Sequence, residues 1–204
     1  MARQRVVHFD IKCANVLVRD ALGAPESAEA KCPQVCLCDF GEALIGEEST
    51  QEPGHIAVVV SRARGTEGVQ SPEMLLISNK IRGCSGEDRK LITSATDVWS
   101  CGCLLYELLT GRTLFNTASF SEFFVTVTQG SEPLPAEQSL KAAELRSLDA
   151  AGVLPQITQI MGLALTRDPS KRRLADVIEA VTEMKHACAR ALPQPIGLEP
   201  GAAC

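Results

Sequence analysis

The chain has 204 residues, enough for one well-buried core and tight for a second full domain. Apolar residues make up 45% and charged residues 22%, ordinary globular usage that excludes a mainly disordered or fibrous chain. With a net charge of −5, 4% aromatics and no massed basic stripe, the composition lacks both the electrostatic footprint and the stacking platform of a nucleic-acid binder, so no nucleic-acid partner is expected.

Near the N-terminus, Arg3, Arg5, Asp10 and Lys12 leave no room for the apolar core of a secretory signal. The longest apolar run, CGCLLYELLTG, is broken by Glu107 and falls short of the roughly 20 residues that cross a bilayer, so no membrane association is expected. Nine cysteines, an odd number without a secretion signal, read as reduced thiols. The expected compartment is the cytoplasm or the nucleus.

In chain order, VLV at 16–18 and VCLC at 35–38 predict a two-stranded hairpin, separated by a loop rich in Gly, Pro, Ser and Glu from 23 to 33. Residues 42–72 are polar, with Gly46, Pro53, Gly54, Gly65 and Gly68, and only IAVVV at 56–60 is apolar; they predict a long loop, either functional or disordered. SNKIRGCSGEDRKLITS at 78–94 predicts a second polar surface insertion. TDVWSCGCLLYELLTG, apolar almost all round, predicts a buried core helix with Thr96 or Asp97 as N-cap and Gly111 as the stop. Helices are predicted near 118–128 and over about 152–165. A last, amphipathic helix over 174–190 carries Leu174, Val177, Ile178, Val181, Met184 and Cys188 on one face. Residues 192–204, with Pro193, Pro195, Gly197, Pro200 and Gly201, predict a flexible tail. The fold class is mainly α, α+β overall: a small β-hairpin beside a helical bundle.

Asp10, Lys12, Asn15 and Asp39 stand out chemically. Phosphoryl transfer needs a carboxylate near the attacking hydroxyl, cations to steady the phosphates and oxygen ligands for magnesium. Asp10 suits the first task, Lys12 the second, and Asn15 with Asp39 the third.

These residues sit in recognisable surroundings. The stretch from His8 to Asn15, HFDIKCAN, resembles the H-R-D-L-K-x-x-N catalytic loop of the eukaryotic protein kinase family, and Asp39-Phe40-Gly41 matches its D-F-G. Gly65-Thr66 followed by Ser71-Pro72-Glu73 is similar to the G-T-x-x-x-x-A-P-E end of the activation segment. Asp97-Val98-Trp99-Ser100-Cys101-Gly102 looks like D-x-W-S-x-G, and Asp168-Pro169-Ser170-Lys171-Arg172 like D-P-x-x-R. Five segments occur in family order and the resemblance covers about residues 6–190, so that 1–191 reads as a partial protein kinase domain.

The resemblance implies ATP and Mg2+ as cofactors and a protein as substrate. Asp10, Lys12 and Thr66 would be catalytic; Asn15, Asp39 and Lys12 would hold Mg-ATP; His8, Phe40 and Gly41 would be structural. Glu73 would pair with Arg172 in a buried ion pair, and Asp97 would hydrogen-bond the backbone around His8 and Phe9. Lys12 and Thr66 belong to the serine/threonine version of the loop, and YELLTG with LCDFGEA is similar to the tyrosine-kinase-like group of serine/threonine enzymes.

The departures are as informative. Phe9 replaces the arginine of H-R-D that usually receives a phosphate on the activation segment, Val69 replaces an aromatic, and Arg173 replaces a proline. Neither G-x-G-x-x-G nor V-A-I-K occurs, so the small ATP-binding lobe is expected to be absent and the chain to be a piece of a larger kinase, inactive alone. A missing small lobe or a partner chain is expected to cover the core helix at 97–110. Two readings stay open: a serine/threonine protein kinase seen in its large lobe, and a pseudokinase-like binding scaffold that transfers nothing. A zinc module of Cys32, Cys36, Cys38 and His55 is the third class, disfavoured by its C-x3-C-x-C spacing. Arg167, Lys171 and Arg173 read as a solvated helix start, and Cys101 and Cys103 as small core residues.

Overall fold

The computed structural model describes residues 4–18, 34–81, 89–129 and 152–191. Among the described residues there are three small antiparallel sheets and five α-helices. Strand β1 (Val6–Val7) pairs with β4 (Leu44–Ile45), and β2 (Val16–Val18) pairs with β3 (Val35–Leu37) in the register Val16↔Leu37. The third sheet runs β5 (Glu47–Glu48), β6 (Ile56–Val60), β7 (Lys90–Thr93). The helices are α1 (Pro72–Ile81), α2 (Ala95–Thr110), α3 (Phe120–Gln129), α4 (Leu154–Ala164) and α5 (Leu174–Ala191).

Three apolar clusters carry the packing of the described residues; the third joins Val98 of α2 to Ile160 and Ala164 of α4 and Val177 and Ala180 of α5. In β6 the period of two puts Ile56, Val58 and Val60 inside while Val59 faces out. The inward residues meet Val7, Phe9, Met74, Ile77 and Ile92, and so tie the strands to α1. The largest cluster surrounds α2, where Trp99, Cys103 and Tyr106 face Leu75, Phe123, Val127, Ile157 and Met161. Gly102 allows α2 and α4 to cross closely, since a Cβ there would lie 2.7 Å from Leu165 Cδ2.

Several expectations need correction. The stretch after residue 42 is not one long loop: it holds β4, β5 and β6, because IAVVV finds a partner strand far along the chain. That partner is β7, in the stretch read as a polar insertion, with Val58 opposite Ile92. One hairpin was expected, and three small sheets form. Helix α2 starts at Ala95, preceded by Ser94, so Thr96 and Asp97 lie inside its first turn and neither caps it. Gly111 does end it, at φ 68. Cys103 is buried but Cys101 is exposed, as is Leu108 further along α2. On α5 the apolar set divides, with Val177 buried, Met184 and Cys188 partly buried, and Leu174, Ile178 and Val181 exposed, because α4 covers only part of that face. The tail expected at 192–204 lies outside the described residues.

Candidate active site

The loop from His8 to Asn15 leaves β1 and enters a 3-10 turn over Cys13–Asn15. Its first residues are fixed from below. The backbone N–H groups of His8 and Phe9 each donate to Asp97, at 2.8 Å. Phe9 has φ 67, a left-handed conformation rare for a bulky side chain, and is held there by its hydrogen bond to Asp97 and by burial of its ring. Burial pushes the Asp97 carboxyl up, and the His8 and Phe9 donors counter part of that.

His8 is fully buried and works through both ring nitrogens. The Asp10 N–H donates to Nδ1 at 3.2 Å, which places the ring proton on Nε2, 3.1 Å from the Cys38 carbonyl it donates to. His8 therefore joins the catalytic-type loop to the residue just before Asp39. Its ring also packs edge-on against Phe40, at 4.8 Å between centroids.

At the centre is Asp10. Its Oδ2 receives Lys12 Nζ at 2.9 Å, and its Oδ1 accepts the Thr66 backbone N–H at 2.8 Å. Lys12 Nζ also donates to Thr66 Oγ1 at 2.6 Å, closing a triangle. Asn15 Nδ2 donates to the Asp10 carbonyl at 2.9 Å and to Oδ2 at 3.2 Å. Burial alone would raise the Asp10 carboxyl; the Lys12 ammonium and the Thr66 hydroxyl and N–H outweigh it and hold the group below its ordinary value. Asp10 thus stays a charged acceptor at neutral pH.

The β2–β3 pairing sets Asn15 opposite Cys38, the residue before Asp39. Cys38 donates its N–H to the Asn15 carbonyl at 2.9 Å, extending the ladder by one position, and its thiol reaches the same oxygen at 3.3 Å. Asp39 follows at φ 60, exposed, with Oδ1 accepting the Gly41 N–H at 3.3 Å. A Cβ on Gly41 would stand 3.2 Å from that oxygen. Asp39 offers an exposed carboxylate, and the Asn15 amide, its nitrogen committed to Asp10, offers its oxygen. That set fits magnesium, which takes one or two protein ligands and fills the rest of its shell with water and phosphate. Among the described residues no three His, Cys, Asp or Glu side chains gather as a metal site. The zinc grouping does not assemble: Cys36 is exposed, the Cys38 thiol sits on Asn15, and buried His55 contacts Ser94 Oγ at 3.3 Å. Cys32 lies outside the described residues.

Beside Lys12 and Thr66 opens a pocket of about 180 Å³, also lined by Cys13, Val69, Glu107 and Leu114. Burial raises the Cys13 thiol, and its hydrogen bond to the Glu107 carboxylate raises it further. Under the site, Arg172 is wholly buried, donates to the Ala95 carbonyl at 2.7 Å, pairs with Glu73 and lies over the Trp99 ring. Arg167, read in sequence as part of a solvated start, closes the end of α3 by donating to the carbonyls of Thr126 and Val127.

Sequence reasoning missed Glu42, Arg62 and Arg64. Arg62 bonds Glu42 at 2.9 Å and Arg64 bonds it at 3.3 Å across the segment that joins D-F-G to Thr66. Nothing local signals that pairing. Glu107 was noted only as a break in an apolar run.

The arrangement, a charged carboxylate held by a lysine and a threonine beside oxygen donors for a cation, is what phosphoryl transfer requires. A family model for the protein kinase domain matches residues 1–185. A probable serine/threonine-protein kinase of Dictyostelium discoideum is 37% identical over 180 residues, covering 82% of this chain and 7% of that protein. A probable myosin light chain kinase of the same organism is 29% identical over 167 residues, 82% of this chain and 26% of the relative. The serine/threonine-protein kinase TOS3 of Saccharomyces cerevisiae is 29% identical over 181 residues, 85% of this chain and 28% of the relative. The chain belongs to the eukaryotic protein kinase family. It spans less than a third of the length of each of these relatives.

Proposed function

We propose that this chain is the large lobe of a serine/threonine protein kinase domain, over residues 1–191, which transfers the terminal phosphoryl group of Mg-ATP to a serine or threonine hydroxyl of a protein. The observation that carries the reading is the triangle of Asp10, Lys12 and Thr66. Asp10, kept ionised, orients the acceptor hydroxyl and takes its proton. Lys12 stands at 2.9 Å to balance charge on the transferred group. Thr66 fixes both and aligns the acceptor segment. Asn15 and Asp39 would hold magnesium, which supplies neutralisation of phosphate charge when bound. Glu107 beside the same pocket suits an acceptor segment that presents a basic side chain.

In this reading the phosphate-covering loop and its lysine come from a small lobe, upstream or on a partner chain, which also covers Leu108 and its neighbours on α2. A scaffold that transfers nothing is the second reading. Among the described residues no helix is long and apolar enough to cross a membrane; the cytoplasm or nucleus is the proposed compartment.

The test is transfer of labelled phosphate from Mg-ATP to protein acceptors by the longest natural product that contains this chain. Transfer to serine or threonine, abolished by Asp10→Asn and by Asp39→Ala with the fold intact, supports the enzyme. Activity surviving Asp39→Ala would sink the metal assignment, and a fully inactive parent would leave the scaffold.

A further inference from the structure

The segment from Gly41 to Gly65 leaves the site beside Asp39 and returns beside Asp10. Glu42 stands at the departure, Arg62 and Arg64 at the return. Arg62 reaches the Glu42 carboxylate at 2.9 Å; Arg64 donates to its carbonyl at 3.0 Å and to its carboxylate at 3.3 Å. Two guanidinium groups on one half-buried carboxylate make a charge-assisted clasp across twenty residues.

The clasp leads directly to the triangle. The Arg64 guanidinium lies 6.0 Å over the Phe9 ring, and the Arg64 backbone N–H donates to the Met74 sulfur. Gln70 Nε2 holds the carbonyls of Arg64 and Gly65, at 2.8 and 3.1 Å. Gly65, at φ 81, has no slack, because a Cβ would fall 2.0 Å from the Phe9 carbonyl oxygen. The next N–H, of Thr66, is the one on Asp10. We infer that Glu42 is a positioning residue: through Arg62 and Arg64 it sets where Thr66 meets Asp10, using charges already in the sequence. Its bearing on catalysis rests on the kinase reading; its bearing on Thr66 does not.

The experiment is hydrogen exchange of the amides from Gly65 to Gln70 in the full 204-residue chain, with far-UV circular dichroism as the folding control. Glu42→Gln, isosteric on a partly exposed side chain, is expected to speed exchange at Thr66 about five- to thirtyfold. Glu42→Asp keeps most of the protection, and Arg62→Gln, on an exposed side chain, gives a smaller rise. In an active longer form Glu42→Gln lowers kcat and leaves KM for ATP unchanged. Unchanged Thr66 exchange in Glu42→Gln overturns the inference, as does an equal loss in Glu42→Asp, which would make the residue a mere packing element. Faster exchange in a chain whose longer form transfers nothing supports the clasp while the kinase reading falls.

Discussion

Asp97, in the first turn of α2, accepts the backbone N–H groups of His8 and Phe9 on its two carboxylate oxygens, across 89 and 88 positions of sequence. The core helix thus grips the loop that carries Asp10, and two oxygens are needed because there are two donors.

Asparagine at this position offers one oxygen and turns an NH2 toward the other backbone N–H. Asp97→Asn is expected to destabilise the chain by about 1–3 kcal/mol at neutral pH, the cost of one unsatisfied buried donor. Urea unfolding measures it. A variant as stable as the parent would show that the second bond contributes nothing.

The pH response separates Asp97 from Asp10. The Asp97 carboxyl is raised by burial, so the folded chain holds that proton more tightly than the unfolded one, and stability falls as pH rises from the ordinary aspartate range to the raised value. The stability advantage of the parent over Asp97→Asn should therefore narrow as pH rises through that window. Asp10 is lowered despite its burial, so its contribution is complete above the ordinary aspartate range and is lost as pH falls through its folded value. The advantage of the parent over Asp10→Asn should shrink on acidification. Urea midpoints measured from neutral pH downward give both trends, and matching trends would contradict the assigned shifts.

Glu73 and Arg172 form the buried ion pair between α1 and the turn before α5. Glu73→Leu alone leaves a wholly buried guanidinium without its carboxylate and is expected to cost about 3–5 kcal/mol. The double variant Glu73→Leu with Arg172→Met removes both charges and should recover much of that loss. If the double variant is no better than the single one, the pair is less important than the hydrogen bond from Arg172 to the Ala95 carbonyl.

Gly65→Ala places a methyl group against the Phe9 carbonyl at a positive φ. The expected cost is about 2 kcal/mol or more, and the Thr66 N–H should lose its protection from exchange. Thermal unfolding and exchange on one sample check both. Near-parental behaviour would mean that the Asp10–Thr66 contact tolerates a shift of the segment.

Much of this was legible in the sequence, for identifiable reasons. The residues of the site are named by short patterns, and the β2–β3 hairpin, the bulk of α2 and its end at Gly111 follow from local periodicity and turn chemistry. The joint order of five segments pointed to the family, and the family model agrees. The sequence could also place Glu73 with Arg172, but only through that resemblance.

What the tertiary structure decided is which distant surfaces meet. IAVVV at 56–60 is apolar wherever it lies; that it becomes a strand depends on Lys90–Thr93 arriving beside it, a contact no local window contains. The exposure of Ile178 and Val181 was set by how much of α5 the neighbouring helix covers, not by the helix's own period. The clasp of Glu42 by Arg62 and Arg64 follows the same rule. Local chemistry fixes what a residue can bond, and chain closure over long separations fixes what it does bond.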